Sequence, residues 1–463
     1  MLRKYRLNWD QLLSPMRVNI AVVGGEERIS LCNAPRIDSR SPFEKDYCHL
    51  IYSSSFRRLG RKTQVHPFAT VDYVRCRLTH SLEVSTIAAS LLREVVLLFE
   101  AEGRHLFHYQ DADWVLRTAG LAHDIGNPPY GHAGEKAIKE WASINIKKQE
   151  PYFRDFSLYD GNAQSFRILS RNDIRKSLYH NLTVASIGAM VKYPYNVKKA
   201  TQRHSKFGAF ITEEKIFDSV MEHLGLKRGN RRYLRHPLSF LLEAADDISY
   251  CLSDLEDGVK MDVLSETTVR ELFCQILPQK MDSKCKRRPS SKDLNREGKE
   301  IWAELDLEML RSLVAGVLIK AYSRCFYDYY EEIMHGQFET GKEFANGLQK
   351  DVKYWLTKAE RLRQKIYKNK NVLAEENQGQ KEVSKALTKY MELLKYIIPR
   401  SRKPTGYVLS LAKQVLGEDF LEQKSNRTQS WWAHVILDYV VGMTDDFTRR
   451  NVVCGIERTD YEV

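Results

Sequence analysis

The sequence predicts an all-α fold with at most minor β structure. Apolar residues recur at helical spacing over long stretches, no run of alternating residues makes a convincing strand, and no internal repeat is present. At 463 residues, with 43% apolar and 29% charged side chains, the chain can bury a substantial core and has the balance of a globular protein.

From Val84, apolar residues fall at Ile87, Ala88, Leu91, Val95 and Leu98, one stripe of a 3.6-residue period. Thr79 or Ser81 is placed to cap that helix, and Gly103 follows its end. A second helix is expected from about Ala112 to Asp124, stopping before Asn127-Pro128-Pro129, because proline lacks a donor and restricts the residue before it. A third begins near Gly131 and carries His132, Glu135, Ile138 and Trp141. A fourth covers about Pro237 to Asp257 and is ended by Gly258. Gln279 to Gly298 is polar and basic and reads as a loop. Amphipathic segments follow from about Lys299 to Leu394, broken near NKNVLAEENQGQ, with a last helix over WWAHVILDYVVGM. A short hairpin near 55–76 is the one β element the sequence allows. This divides the chain into an N-terminal arm and core (1–278), a basic loop (279–298) and a C-terminal helical region packing on the core (299–463).

The eight cysteines are scattered with no C-x-x-C pair, which argues against a zinc ribbon or a disulfide framework and fits a reducing compartment. The opening MLRKYRLNWDQLL mixes charge into its apolar residues, and no window approaches the roughly 18 apolar residues that span a bilayer. A cytoplasmic protein without a membrane partner is expected. The net charge of +12 favours a polyanionic partner, either nucleic acid or a phosphorylated small molecule. Its basic residues concentrate at 196–206, 226–236 and 284–292. Gly60-Arg61-Lys62-Thr63 lacks the upstream glycine of a phosphate loop, and Val23-Gly24-Gly25 lacks the dinucleotide-binding spacing.

The stretch LAHDIGNPPYGHAGE (121–135) gathers His123, Asp124, His132 and Glu135 around a helix breaker. With His80 in RLTHSLEV and Asp246 in EAADDISY, the chain offers two imidazoles and two carboxylates, a donor set suited to Mn²⁺, Fe²⁺, Zn²⁺ or, less ideally, Mg²⁺. Within the pair 246–247, Asp246 lies beside the stripe Leu241, Ala245, Ile248, Leu252, Leu255, with Tyr250 and Asp254 following at i+4 and i+8. Asp247 is turned toward the opposite side and is expected to face water. The i, i+3 spacing of His132 and Glu135 puts them on one helix face.

These residues resemble the HD-domain metal-dependent phosphohydrolases. The chain is similar to a narrower group, the deoxyguanosine triphosphate triphosphohydrolases (dGTPases), related to the SAM-and-HD-domain dNTPase. The resemblance rests on RRLGRKTQV, RLTHSLEV, HDIGNPPYGHAGE, GNAQSFRIL, VKYPY, EAADDISYCLSDLEDG and DYVVGMTD, in the family's order from residue 57 to 445. It implies an HD-type helical core with additional C-terminal helices, and a divalent ion, Mn²⁺ or Mg²⁺ first, on His80, His123, Asp124 and Asp246. It also implies a catalytic pair, His132 and Glu135, near the α-phosphate. The implied reaction cleaves a deoxynucleoside triphosphate, dGTP first, to deoxynucleoside and tripolyphosphate. By the same resemblance Gln64 lies near the sugar 3′-hydroxyl, Arg77 at the phosphates, and Lys192 with Tyr193 at the triphosphate. Tyr250 lies against the deoxyribose and Asp254 at its end, with Asn162 and Gln164 lining the site. It further implies a homo-oligomer, often a hexamer, and single-stranded DNA as a second partner.

Three rival readings stand beside this one. A broad-specificity dNTPase would use the same residues. Another HD phosphohydrolase, acting on a phosphomonoester or cyclic diester, would not need Gln64, Tyr250 and VKYPY. A nucleic-acid-binding regulator with a vestigial site would not keep all four ligands and the His132–Glu135 pair.

Overall fold

The computed structural model describes residues 6–23, 26–33, 38–64, 74–171, 180–199, 206–229, 232–278, 302, 305–338, 343–397, 404–418, 420 and 427–453. The fold is all-α with small sheets. A short helix α1 (Trp9–Leu12) leads into strands β1 (Arg17–Val23) and β2 (Glu26–Cys32), paired antiparallel with Arg17 opposite Cys32. This hairpin lies upstream of the 55–76 stretch. There, Ser53 Oγ accepts the amide of Phe56 and starts helix α3 (Ser54–Arg58), which follows α2 (Pro42–Tyr52). Among the described residues of 55–76 the strand-like feature is the antiparallel bridge Thr63–Cys76, and 65–73, where a hairpin would turn, lies outside the described residues.

Helix α4 (Arg77–Glu100) begins a turn earlier than its apolar stripe suggests. Thr79 accepts the Cys76 amide from the third helical position and Ser81 is buried inside the helix, so neither is the N-cap. Helices α5 (Tyr109–Ala122) and α6 (His132–Asn145) follow, joined by the HDIGNPPYG turn. Gly131 has φ +54°, and the Arg77 guanidinium fills the space where a Cβ would stand. Only glycine meets both demands there. Next come α7 (Phe153–Ser157), α8 (Gly161–Ser170), α9 (Val184–Met190) and α10 (Glu214–His223).

Helix α11 (Pro237–Lys260) runs through the expected stop at Gly258. That glycine is instead a contact point, since Ile366 and Leu264 occupy the space a side chain would need. Helices α12 (Glu266–Ile276), α13 (Leu307–Asp328), α14 (Tyr330–Met334) and α15 (Lys350–Tyr367) come next. The break expected near NKNVLAEENQGQ is confined to its start. Asn369 caps α16 (Lys370–Met391), which carries the rest of that segment as helix. The chain closes with α17 (Leu394–Ile397), α18 (Gly406–Leu416), α19 (Gln429–Val441) and α20 (Asp445–Val453). The basic residues 284–292 lie outside the described residues. Among the described residues no helix is long and apolar enough to cross a membrane.

Apolar burial forms two cores. One is built on α4, α5, α9 and α11, covered by α13 and α15. The other gathers α6, α7, α16, α18 and α19. The HDIGNPPYG turn crosses from the first to the second, with Ile125 in one and Tyr130 in the other.

Candidate active site

Helix α11 is buried on nearly every face, yet it carries Glu243, Asp246, Asp247, Asp254, Glu256 and Asp257. A buried carboxylate without a partner is strongly unfavourable, so each must be compensated. Arg235 pairs with Glu243 at 2.7 Å, and Arg75 holds Glu256 and Asp257 at 2.6 Å each. Arg363 Nε donates to Asp254 at 3.1 Å, and the Tyr367 hydroxyl donates to the same oxygen. Asp247 accepts from Tyr250 at 2.9 Å and from Tyr322 at 3.3 Å. Asp246 differs. It faces the imidazoles of His80, 3.1 Å away, and His123, 3.6 Å away.

His80, His123 and Asp246 place one ligand atom each within 4.8 Å of one another. His123 Nδ1 lies 2.8 Å from the Gly120 carbonyl, which fixes the proton there and leaves Nε2 for a ligand. That Nε2 is buried without a hydrogen-bond partner among the described residues. Burial pulls the His123 pKa down, but the carboxylates of Asp124 and Asp246 outweigh it and lift the imidazole to about 9. Burial likewise opposes the charge on Asp246, and its two histidines overcome it and hold the carboxyl well below the usual range. The cluster favours a positive charge at its centre and presents an unpartnered nitrogen to it, so a divalent cation fits. Asp124 stands beside it with Oδ1 3.6 Å from His123 Nε2. Its carboxylate also accepts from Arg77 at 2.6 Å and Asn127 at 2.5 Å.

The HDIGNPPYG turn delivers the second group. His132 opens α6 with a side chain 85% exposed, and its Nδ1 lies 3.3 Å from Glu135 Oε2. Glu135 is buried and its other oxygen accepts the Gly161 amide at 2.8 Å. Burial would raise the Glu135 pKa, but the His132 hydrogen bond and the nearby Lys206 and Lys139 charges bring it down to about 2. It is therefore an ionised carboxylate anchored to the start of α8.

One cavity of about 610 Å³ joins these groups. Gln64, Arg77, His80, His123, Asp124, His132, Glu135, Asn162, Lys192, Tyr193, Asp246, Tyr250 and Asp254 all line it. Gln64 Oε1 is buried with no protein partner among the described residues, as is Arg77 Nε. Gln164 is the exception to the expected set. It is fully buried, does not line the cavity, and donates to Asp438 at 2.6 Å. Two residues along α8 from Asn162 is about 200° of rotation, which turns Gln164 away when Asn162 faces the cavity. Asp247 also differs from expectation. Tyr250 and Tyr322 enclose it, and burial raises its carboxyl to about 7 against the pull of Lys192. On a helix surrounded by protein, the side away from the apolar stripe is not solvent.

Eight further lining residues were not anticipated individually: Thr63, Asn127, Tyr130 and Gly161 lie inside the quoted motifs, whereas Lys206, Arg363, Tyr367 and Glu376 lie outside them. Lys206 belongs to the basic run 196–206, a signal read only as general polyanion attraction. Arg363 and Tyr367 are one turn apart on α15, in a region that matches no motif, and the hydroxyl of Tyr367 accepts from Arg363 at 2.6 Å.

The fold and this site define an HD-type, metal-dependent hydrolase. The HD-domain family model matches residues 77–251, the span from the start of α4 into α11 that supplies the three converging ligands. The chain is 30% identical over 472 aligned positions to a deoxyguanosinetriphosphate triphosphohydrolase-like protein of Listeria monocytogenes, covering 96% of this chain and 98% of that protein. A protein of the same description from Pseudomonas aeruginosa is 32% identical, with 79% and 80% covered. A deoxyguanosinetriphosphate triphosphohydrolase of Serratia proteamaculans is 34% identical over 50% of this chain and 52% of its own length. The chain belongs to the deoxyguanosinetriphosphate triphosphohydrolase-like family of HD-domain hydrolases.

Proposed function

We propose that this protein hydrolyses a deoxynucleoside triphosphate, dGTP in preference, at the α-phosphorus to give a deoxynucleoside and tripolyphosphate. The observation that carries the reading is the single cavity shared by the His80–His123–Asp246 cluster, the His132–Glu135 pair and the half-enclosed Tyr250. His80, His123 and Asp246, with Asp124 as fourth ligand, would hold a divalent ion, Mn²⁺ or Mg²⁺ first and Fe²⁺ or Zn²⁺ as alternatives. Bound there, such an ion lowers the pKa of water and offsets phosphoryl charge.

The chain's own residues supply the rest. Water adds to the α-phosphorus and the bond from phosphorus to the 5′-oxygen breaks, so that oxygen needs a proton. The ionised Glu135 holds His132 through Nδ1, leaving the second ring nitrogen to deliver it. Arg77, Lys192, Tyr193, Asn162 and Lys206 receive the triphosphate, and the unpartnered Gln64 Oε1 accepts from the sugar 3′-hydroxyl. Tyr250 and Asp254 bound the sugar, and a ring packed under C2′ disfavours a 2′-hydroxyl. The guanine preference rests on the names of the relatives.

Purified protein incubated with each dNTP and NTP plus Mn²⁺ or Mg²⁺, with products resolved by chromatography, tests the reading. Tripolyphosphate and deoxynucleoside as the only primary products are expected, fastest with dGTP. Orthophosphate and dGDP at early times would overturn it, and equal rates on all dNTPs would replace dGTP preference with a broad dNTPase. The same proposal places the protein in the cytoplasm as a homo-oligomer, a hexamer by resemblance, which sedimentation velocity checks. The +12 charge supports single-stranded DNA as a second partner. Filter binding that weakens steeply with salt is the expected signature.

A further inference from the structure

The start of α20 touches both walls of the cavity from far away in sequence. Asp445 Oδ2 accepts from the Thr63 amide at 2.8 Å and the Thr63 hydroxyl at 2.7 Å. Asp445 Oδ1 accepts the Tyr130 amide at 3.0 Å, and the Tyr130 hydroxyl returns a bond to the Asp445 carbonyl at 2.8 Å. Thr63 precedes Gln64, and Tyr130 stands two residues before His132. Nearby, Lys62 Nζ donates to the Asn127 carbonyl at 2.6 Å and the Val441 carbonyl at 2.7 Å, repeating the same tie one step away.

Tyr130 needs such support. Its φ of +60° is a left-handed conformation that side chains of its bulk rarely adopt. Gly379 of α16 presses directly on its ring, and its hydroxyl also donates to Glu382. One short carboxylate thus fixes the backbone on which His132 is mounted and the backbone that presents Gln64.

We infer that Asp445 is a positioning residue for the active site, holding the Gln64 and His132 walls in register from the C-terminal helices. The inference rests on the proposed roles of Gln64 and His132. Neither oxygen of Asp445 can be replaced by a donor without loss, because Thr63 and Tyr130 both present N–H groups. Displacing a catalytic group by about 1 Å is enough to cost on the order of a hundredfold in rate.

The test is a double-mutant cycle on dNTP turnover between Asp445→Asn and His132→Ala, with Thr63→Val as a milder probe that removes only the hydroxyl bond. Unfolding temperature and metal content of each variant are measured alongside. Asp445→Asn is expected to lower kcat tenfold or more while remaining folded and metal-loaded, with Thr63→Val falling between it and wild type. In the His132→Ala background, which itself lowers kcat by about 10²–10⁴-fold, Asp445→Asn should cost clearly less than it does in wild type, since only the Gln64 wall is left to misplace. Losses that multiply would show a general effect and overturn the inference, as would Asp445→Asn or, if that variant does not fold, Thr63→Val turning over like wild type. Wild-type protein that turns over no dNTP would instead overturn the proposed function, and the inference with it.

Discussion

The Arg363 guanidinium lies 4.1 Å from the centre of the Tyr250 ring, while its Nε donates to Asp254 at 3.1 Å. The Tyr250 hydroxyl is held by Asp247 at 2.9 Å. Three contacts from two helices therefore turn an ordinary aromatic side chain into a fixed wall of the cavity.

A fixed wall can exclude a hydroxyl group. Tyr250→Ala is expected to narrow the dGTP-over-GTP ratio of kcat/KM, and Arg363→Lys to narrow it less, since lysine cannot stack and fork at once. Equal losses on deoxy- and ribonucleotides would show that the ring does not select the sugar.

Adjacent carboxylates on α11 have different partners. Asp246→Ala is expected to abolish metal binding, because it removes the carboxylate facing both histidines. Asp247→Ala should leave metal content near wild type while loosening Tyr250 and Tyr322. Metal analysis after desalting separates the two, and equal depletion would refute the assignment within the pair.

Away from the cavity, Arg167 is fully buried between Glu213, at 2.5 Å, and Asp438, at 2.9 Å. It ties α8 to α19 through an ion pair with no access to solvent. Arg167→Met leaves buried carboxylate charge short of a partner and should destabilise the fold by about 3–5 kcal/mol in denaturant unfolding. A loss below about 1 kcal/mol would mean that Arg171, 2.9 Å from Glu213, and Gln164, bonded to Asp438, suffice.

His236 caps α11, accepting the Leu238 amide at 3.1 Å on one nitrogen, with the other 3.2 Å from the Leu12 carbonyl. Burial lowers its pKa from 6.5 to about 4. Between those values the unfolded chain binds the proton and the folded one does not, so stability is full above about pH 6.5 and falls as pH drops toward 4. The size is on the order of a few kcal/mol. Thermal unfolding of His236→Asn, which keeps the cap, should depend less on pH across that window than wild type. Parallel curves would exclude His236 as a source of acid sensitivity.

The amino-acid sequence by itself determined the helical class and the relations that live within one helix. His132 with Glu135, and Asp246 with Tyr250 and Asp254, are set by residues per turn, so their shared faces were readable before any packing was known. Tertiary structure decided whatever depends on what covers a helix. Gln164 points to Asp438, 274 residues away, and Asp247 is enclosed by Tyr322 from α13, so neither environment follows from its own helix. Arg363 and Tyr367 entered the site, and Asp445 reached its walls, only when the C-terminal helices packed against the rest of the chain. The reason is physical. Backbone periodicity is a local property, whereas the partner of a buried charge is chosen by which distant segment must neutralise it.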